Sequence, residues 1–351
     1  MRTLEEAIIE RRNSLSSDRL DMSFGELMSM YTNNELIIDP EFQRMFRWNI
    51  YQRTRFIESL LLGIPIPSIF VAEDKDSRWE VVDGLQRIST IVSFFGLLKN
   101  DEQEKNSWVL EEGDIIKEFA GLSLSKLPLK FQLTIKRASC RIEVIKWDSD
   151  HDMRFELFNR LNTGGSLLTE QEIRNCIFRG ISVEFTNTIN ELALSEEFVD
   201  LIVPTPKQKE ELYLDELVLR FFSLFENHDG ISKNLSEHMT DYMREATKNK
   251  DLYQYKIDKF TRTLSLVKTL GRQAILGKNG PLSTSLYDGI FNGIATNLKY
   301  YEGSPKVVLQ DKVSFLKEDK DFKKTSGSTS GSKERTKKRI VRAVEIFSDH
   351  E

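Results

Sequence analysis

Val81-Val82-Asp83-Gly84-Leu85-Gln86-Arg87-Ile88 is the stretch on which the reading of this chain turns. A short apolar run (Trp79, Val81, Val82) leads into it, and Ile88, Ile91, Val92 and Phe95 follow at helical spacing. The pattern is strand, tight turn, helix. A helix opened in this way presents unpaired backbone N–H groups and the positive end of its dipole, and both attract an anion such as phosphate. Gly84 lets the backbone approach a ligand closely, and Arg87 reads as a two-pronged grip on phosphate oxygens. Asp83, at the strand end, reads as a metal ligand or as the group that orients a water. Taken alone, the stretch is equally an ordinary strand-to-helix turn with a satisfied aspartate.

Working outward, the N-terminal half mixes strand and helix signals. Ser23-Phe-Gly-Glu26 is a capping box that opens a helix through Met30, and Leu36 to Ile38 is a short strand stopped by Asp39-Pro40. Ile57, Leu60, Leu61 and Ile64 place an amphipathic helix over 51–62, ended by Gly63 and Pro65. The apolar runs 68–72 and 79–82, separated by charged residues, predict a hairpin, and 138–146 alternates as a further strand. Helical pattern resumes over 150–161. Beyond Asn162 the chain reads as nearly all helix, with a second capping box at Thr169-Glu-Gln-Glu172 and later segments at 207–227, 234–247, 252–270 and 283–300. The Ser/Gly-rich stretch 325–332 reads as a flexible linker inside a basic, solvated tail that ends in a short helix. The expected fold is therefore α+β, a small mixed sheet followed by a mostly α-helical domain. The expected divisions are 1–163, 164–322 and a flexible basic segment over 323–351.

Composition narrows the class. The chain has 351 residues, 39% hydrophobic and 30% charged, with a net charge of -5, so a general nucleic-acid coat is not indicated and any such contact has to be local. Two cysteines cannot build a disulfide framework. The charged start, 1–12, has no apolar signal core, and the longest apolar stretch is broken by Gly63, Pro65 and Pro67. A cytoplasmic location with no membrane partner is the expectation. Several chemistries lack their signatures. There is no glycine-rich loop ending in Gly-Lys-Ser/Thr, no Gly-x-Ser-x-Gly elbow, and His151, His228, His238 and His350 are scattered rather than paired for zinc.

Two more stretches carry candidate chemistry. Pro40-Glu-Phe-Gln43-Arg44-Met-Phe-Arg47-Trp48 sets arginines among aromatics, a pattern suited to phosphates and stacked bases; by itself it is also a surface ion-pair loop with Phe42 and Trp48 in the core. Phe158-Asn159-Arg160-Leu161-Asn162-Thr163-Gly164-Gly165 ends a helix in a glycine turn that displays Arg160 and Asn162.

The order of these motifs, with Ile57-Glu58-Ser59-Leu60 and Gly63-Ile64-Pro65-Ile66-Pro67 between the first two, resembles the N-terminal domain of GmrSD-type, modification-dependent restriction endonucleases over 23–176. The resemblance implies a ParB/sulfiredoxin-like fold and a nucleotide-binding, NTP-hydrolysing role in restriction or phage defence. It assigns catalysis to Asp83, Gln86 and Arg87, and Mg²⁺ to Asp83. It assigns the nucleoside triphosphate, GTP or another, to Gln43, Arg44, Gly84, Arg87, Arg160 and Asn162. Arg47 and Arg53 become DNA contacts, the DNA being modified where a modification is read. Two departures stand out. Leu85 replaces the first glutamine of the family's Asp-Gly-Gln-Gln-Arg turn, and its register with Ile88 and Val92 points it inward. No HNH-like histidine cluster follows, so cleavage is expected from a separate nuclease subunit. Two alternatives remain open: a non-enzymatic ParB-like DNA-binding adaptor, and a Mg²⁺-dependent nickase using Asp83 with Glu80.

Overall fold

The structure, a computed structural model, describes residues 3–13, 16–38, 48–99, 105–146, 157, 160, 168–179, 181–227, 230–278, 280–327 and 329–348. Gln43, Arg44, Arg47 and Asn162 lie outside these residues, as does most of the helical pattern at 150–161. The chain divides into two compact units, 1–168 and 169–351.

The first unit is built on a five-stranded mixed sheet. Its strands are β1 (Ser17–Ser23), β2 (Leu36–Ile37), β3 (Ile69–Glu73), β4 (Trp79–Asp83) and β5 (Ser139–Ile145), in the order β1-β5-β3-β4-β2. The hairpin β3–β4 is antiparallel with a register shift at Phe70/Val71, and β3 runs parallel to β5. Its helices are α1 (Leu4–Asn13), α2 (Phe24–Thr32), α3 (Ile50–Leu62), α4 (Leu85–Phe94) and α5 (Leu129–Arg137). The caps are those the local sequence favours. The Ser23 hydroxyl accepts from the Glu26 N–H, Asn49 and Gln52 form a capping box, and Gly63 closes α3 at φ 70°. One sheet face carries Ile69, Val71, Val81, Ile142 and Val144 against Phe24, Leu27, Ile57, Leu60, Ile88 and Ile91 of the helices, forming one apolar core. Strand β1 carried no alternating apolar signal. It is an exposed edge, tied to β5 by its ladder and by the pairs Arg19–Glu143 and Arg141–Asp21.

The second unit is helical: α6 (Glu170–Arg179), α7 (Val183–Ala193), α8 (Glu196–Ile202), α9 (Pro206–Glu210), α10 (Tyr213–Leu224), α11 (Leu235–Ala246), α12 (Gln254–Leu270), α13 (Thr284–Thr296), α14 (Leu298–Gly303), α15 (Lys306–Glu318), α16 (Lys320–Lys323) and α17 (Lys333–Ser348). Its core is aromatic: Phe221, Phe222 and Phe260 are in mutual ring contact, and Phe291 links Phe221 and Phe260 to Tyr287. The segment 207–227 is two helices rather than one, because Leu212 takes a left-handed φ of 53° between them. Likewise 283–300 breaks at Asn297. The largest correction concerns the basic tail. Residues 333–348 form a 16-residue helix, with Arg339 wholly buried and donating to Asp288 at 2.8 Å. Arg220 grips the same carboxylate at 2.7 and 3.0 Å, so two guanidiniums close on one buried aspartate. Thr325 and Ser330 are folded onto this pair, their carbonyls accepting from Arg339 at 3.3 and 2.9 Å. Among the described residues, no helix is long and apolar enough to cross a membrane.

Candidate functional site

The site forms where one end of the sheet meets α4. Strand β4 ends at Asp83, opposite Phe70, and the parallel strands β3 and β5 both begin at this end. Gly84 turns the chain at φ 97° and becomes the N-cap of α4, which no side chain caps. Any side chain at Gly84 would meet Ile69, whose Cγ1 would lie 2.8 Å from an added Cβ. The glycine is therefore required twice, by its backbone angle and by close packing. With no side chain capping it, the first turn of α4 keeps the backbone geometry that the sequence suggests for an anion.

Arg87 occupies a different place from a phosphate grip. The residue is 8% exposed. One nitrogen donates to the Pro67 and Ser68 carbonyls and the other to Asp83 Oδ2 at 2.8 Å. Burial pushes the guanidinium below its ordinary value, and the Asp83 charge pulls it back up. Arg87 thus ties the loop between α3 and β3 to the end of β4 and fixes Asp83, whose carboxylate remains 43% exposed. Cys140, beside Arg87, has its thiol pushed up to about 11 by burial and donates weakly to the Met22 carbonyl, so it is held as an inert core thiol.

Gln86 is buried too. Its side-chain oxygen accepts from the Trp48 N–H at 3.0 Å, and Trp48 packs edge-on to Phe56 at 5.6 Å. The second motif therefore anchors the C-terminal end of the first. Leu85 packs against the core, as its register indicates. Arg53 is half-buried over the Trp108 ring at 4.8 Å, and burial lowers its pKa against the pull of Glu111. Arg160 is exposed on helical backbone. Glu80 pairs with Ala72, three residues back from Asp83 along β4. Among the described residues no three His, Cys, Asp or Glu side chains converge to hold a metal. A single half-exposed carboxylate still suits Mg²⁺ delivered on nucleotide phosphates, since that ion keeps most of its ligands as water and phosphate oxygen.

Two features escaped the sequence reading. Glu58 is 2% exposed and accepts from the Ile116, Ile115 and Asp114 N–H groups at 2.7, 3.0 and 3.2 Å, pinning the 110–121 loop to α3. In the second unit, α6 buries Gln171, Glu172, Arg174 and Asn175 together. Arg174 donates to Gln171 at 2.9 Å and to Ser236; the Thr169 N–H donates to Glu172 at 2.6 Å, the capping box that the sequence predicts. The signal was present as Gln-Glu-Ile-Arg-Asn, a polar run with too few apolar residues for a helix that is buried on most of its surface.

No curated protein and no solved structure matches the chain. A family model described as GmrSD restriction endonuclease, N-terminal domain, matches residues 24–179. This stretch runs from the first core helix through the Asp83–Arg87 turn to the buried polar face of α6, and over it the chain is similar to the GmrSD restriction endonuclease N-terminal domain.

Proposed function

We propose that the first unit is a ParB/sulfiredoxin-like module that binds, and with Mg²⁺ hydrolyses, a nucleoside triphosphate within a restriction or phage-defence system. The observation that carries this reading is the uncapped N-terminus of α4 at Gly84, with the fixed, half-exposed carboxylate of Asp83 beside it. Phosphate oxygens lie on the first-turn N–H groups of α4. Asp83 orders water or the ion that a nucleotide carries, and Mg²⁺ supplies charge neutralisation when bound. Arg87 and Gln86 act by positioning: Arg87 holds Asp83 and the 67–68 carbonyls, and Gln86 holds Trp48; Gln43 and Arg44 contact the nucleotide, as the resemblance implies. Arg160 and Asn162 belong to the family's second signature and complete the nucleotide contacts. DNA, modified or not, is met through Arg47 and the region around it, and a separate nuclease subunit cuts it in the cytoplasm.

The test is multiple-turnover hydrolysis of GTP and ATP with Mg²⁺ by wild type and Asp83→Asn. The expected result is measurable phosphate release that falls at least about tenfold in the variant, with nucleotide affinity changed little. Equal turnover in the two proteins would remove the assignment. The adaptor reading has one observation in its favour: Leu85 packs into the core where relatives carry an amide. DNA binding that weakens steeply with salt and ignores nucleotide would favour it.

A further inference from the structure

A groove of about 750 Å³ opens in the first unit between the C-terminal end of α3 and one face of α5. Lys130, Leu133, Thr134 and Arg137 line it from α5. Their i, i+3, i+4, i+7 spacing makes them one helical row, with a cation at each end about 10 Å apart. The opposite wall is apolar, from Ile64 and Pro65. Ile64 is 45% exposed, and its neighbour Leu62 and the α5 residues Leu129 and Phe131 are exposed as well. Neither Lys130 nor Arg137 meets a carboxylate among the described residues. Open apolar area of this kind, rimmed by uncompensated charge, is the mark of a docking surface.

The same unit carries an element of matching chemistry. Helix α1 leaves Leu4, Ile8 and Ile9 in the open, Leu4 at 78% exposure. Leu4 and Ile8 lie one helical turn apart, and Glu5 and Ile9 form the adjacent row. Glu5 and Glu6 are both exposed; Glu6 completes a capping box with Thr3, while Glu5 meets no cation among the described residues. The groove is beside Ser139, which pairs with Ser23, whereas α1 enters at Ser17, about 20 Å away along the strand.

We infer that the occupant of the groove is α1 of a second copy of this chain, in a reciprocal exchange that forms a closed twofold dimer. Leu4 and Ile8 lie against Ile64, Pro65 and Leu133, and Glu5 pairs with Arg137. Two such arms bury on the order of 1,200–1,600 Å² together, which is the size of a standard specific interface.

Sedimentation velocity on the full chain between 1 and 100 µM tests this. The expected result is a concentration-dependent dimer. Ile8→Asp, an exposed position, weakens it at least about tenfold, as does Arg137→Glu. The charge swap Glu5→Arg with Arg137→Glu restores it. A wild-type monomer throughout the range would overturn the inference, including the case in which the arm folds back on its own groove. A dimer indifferent to both single variants, or one that the charge swap fails to rescue, would overturn it as well.

Discussion

Gly84 carries the sharpest constraint in the site, and its reason is visible only in three dimensions. The sequence shows that a glycine stands where a strand becomes a helix. It does not show that Ile69, fifteen residues earlier, packs against the missing side chain. Gly84→Ala places a Cβ 2.8 Å from the fully buried Ile69 and forces a left-handed backbone on alanine. The expected cost is about 1–3 kcal/mol. It is read as a lower melting temperature of the first unit, and a melt identical to wild type would mean that the turn is not held as described. Arg87 teaches the converse lesson. Its residue type suggested a phosphate ligand, but its donors meet the Pro67 and Ser68 carbonyls, and no local pattern reveals partners twenty residues away. Asp83 was legible as the polar group at the strand end. That it is fixed by Arg87 rather than by a capping contact was not.

Elements were legible where an apolar stripe or alternation marks them, α4 included, and obscure where composition hides their packing. The hairpin, α2, α3 and β5 follow from alternation, helical periodicity and caps. Strand β1 was hidden because five of its seven residues are exposed and its stability comes from its ladder. Helix α4 is buried along most of its length, Ser89, Thr90 and Ser93 included, each hydroxyl satisfied by a carbonyl within its own helix. Helix α17 was misjudged because seven cations between 323 and 339 read as solvated. Packing against α13 overrides that composition: Asp288 accepts from both Arg220 and Arg339, and Phe347 fills the space above Gly293. Removing one partner of a buried pair is costly. Arg339→Met is expected to destabilise the second unit by about 3 kcal/mol. It should also raise amide hydrogen exchange across 333–348, whereas a tail already open to solvent would exchange fast in both proteins.

At the scale of the whole molecule, the division into a mixed-sheet unit and a helical unit follows from the switch in hydrophobic period along the chain. The chemistry does not divide so simply. The family match runs from α2 into α6, so it takes in the Gln171–Asn175 polar cluster as well as the Gly84 turn. The account rests on an anion meeting the start of α4. Its most direct test is amide-resolved NMR of the full chain titrated with a non-hydrolysable GTP or ATP analogue and Mg²⁺. The account predicts that the Leu85 and Gln86 amides shift first and saturate with the bound fraction, together with Asp83. Saturable binding that leaves these amides still, or no binding at all, would contradict it.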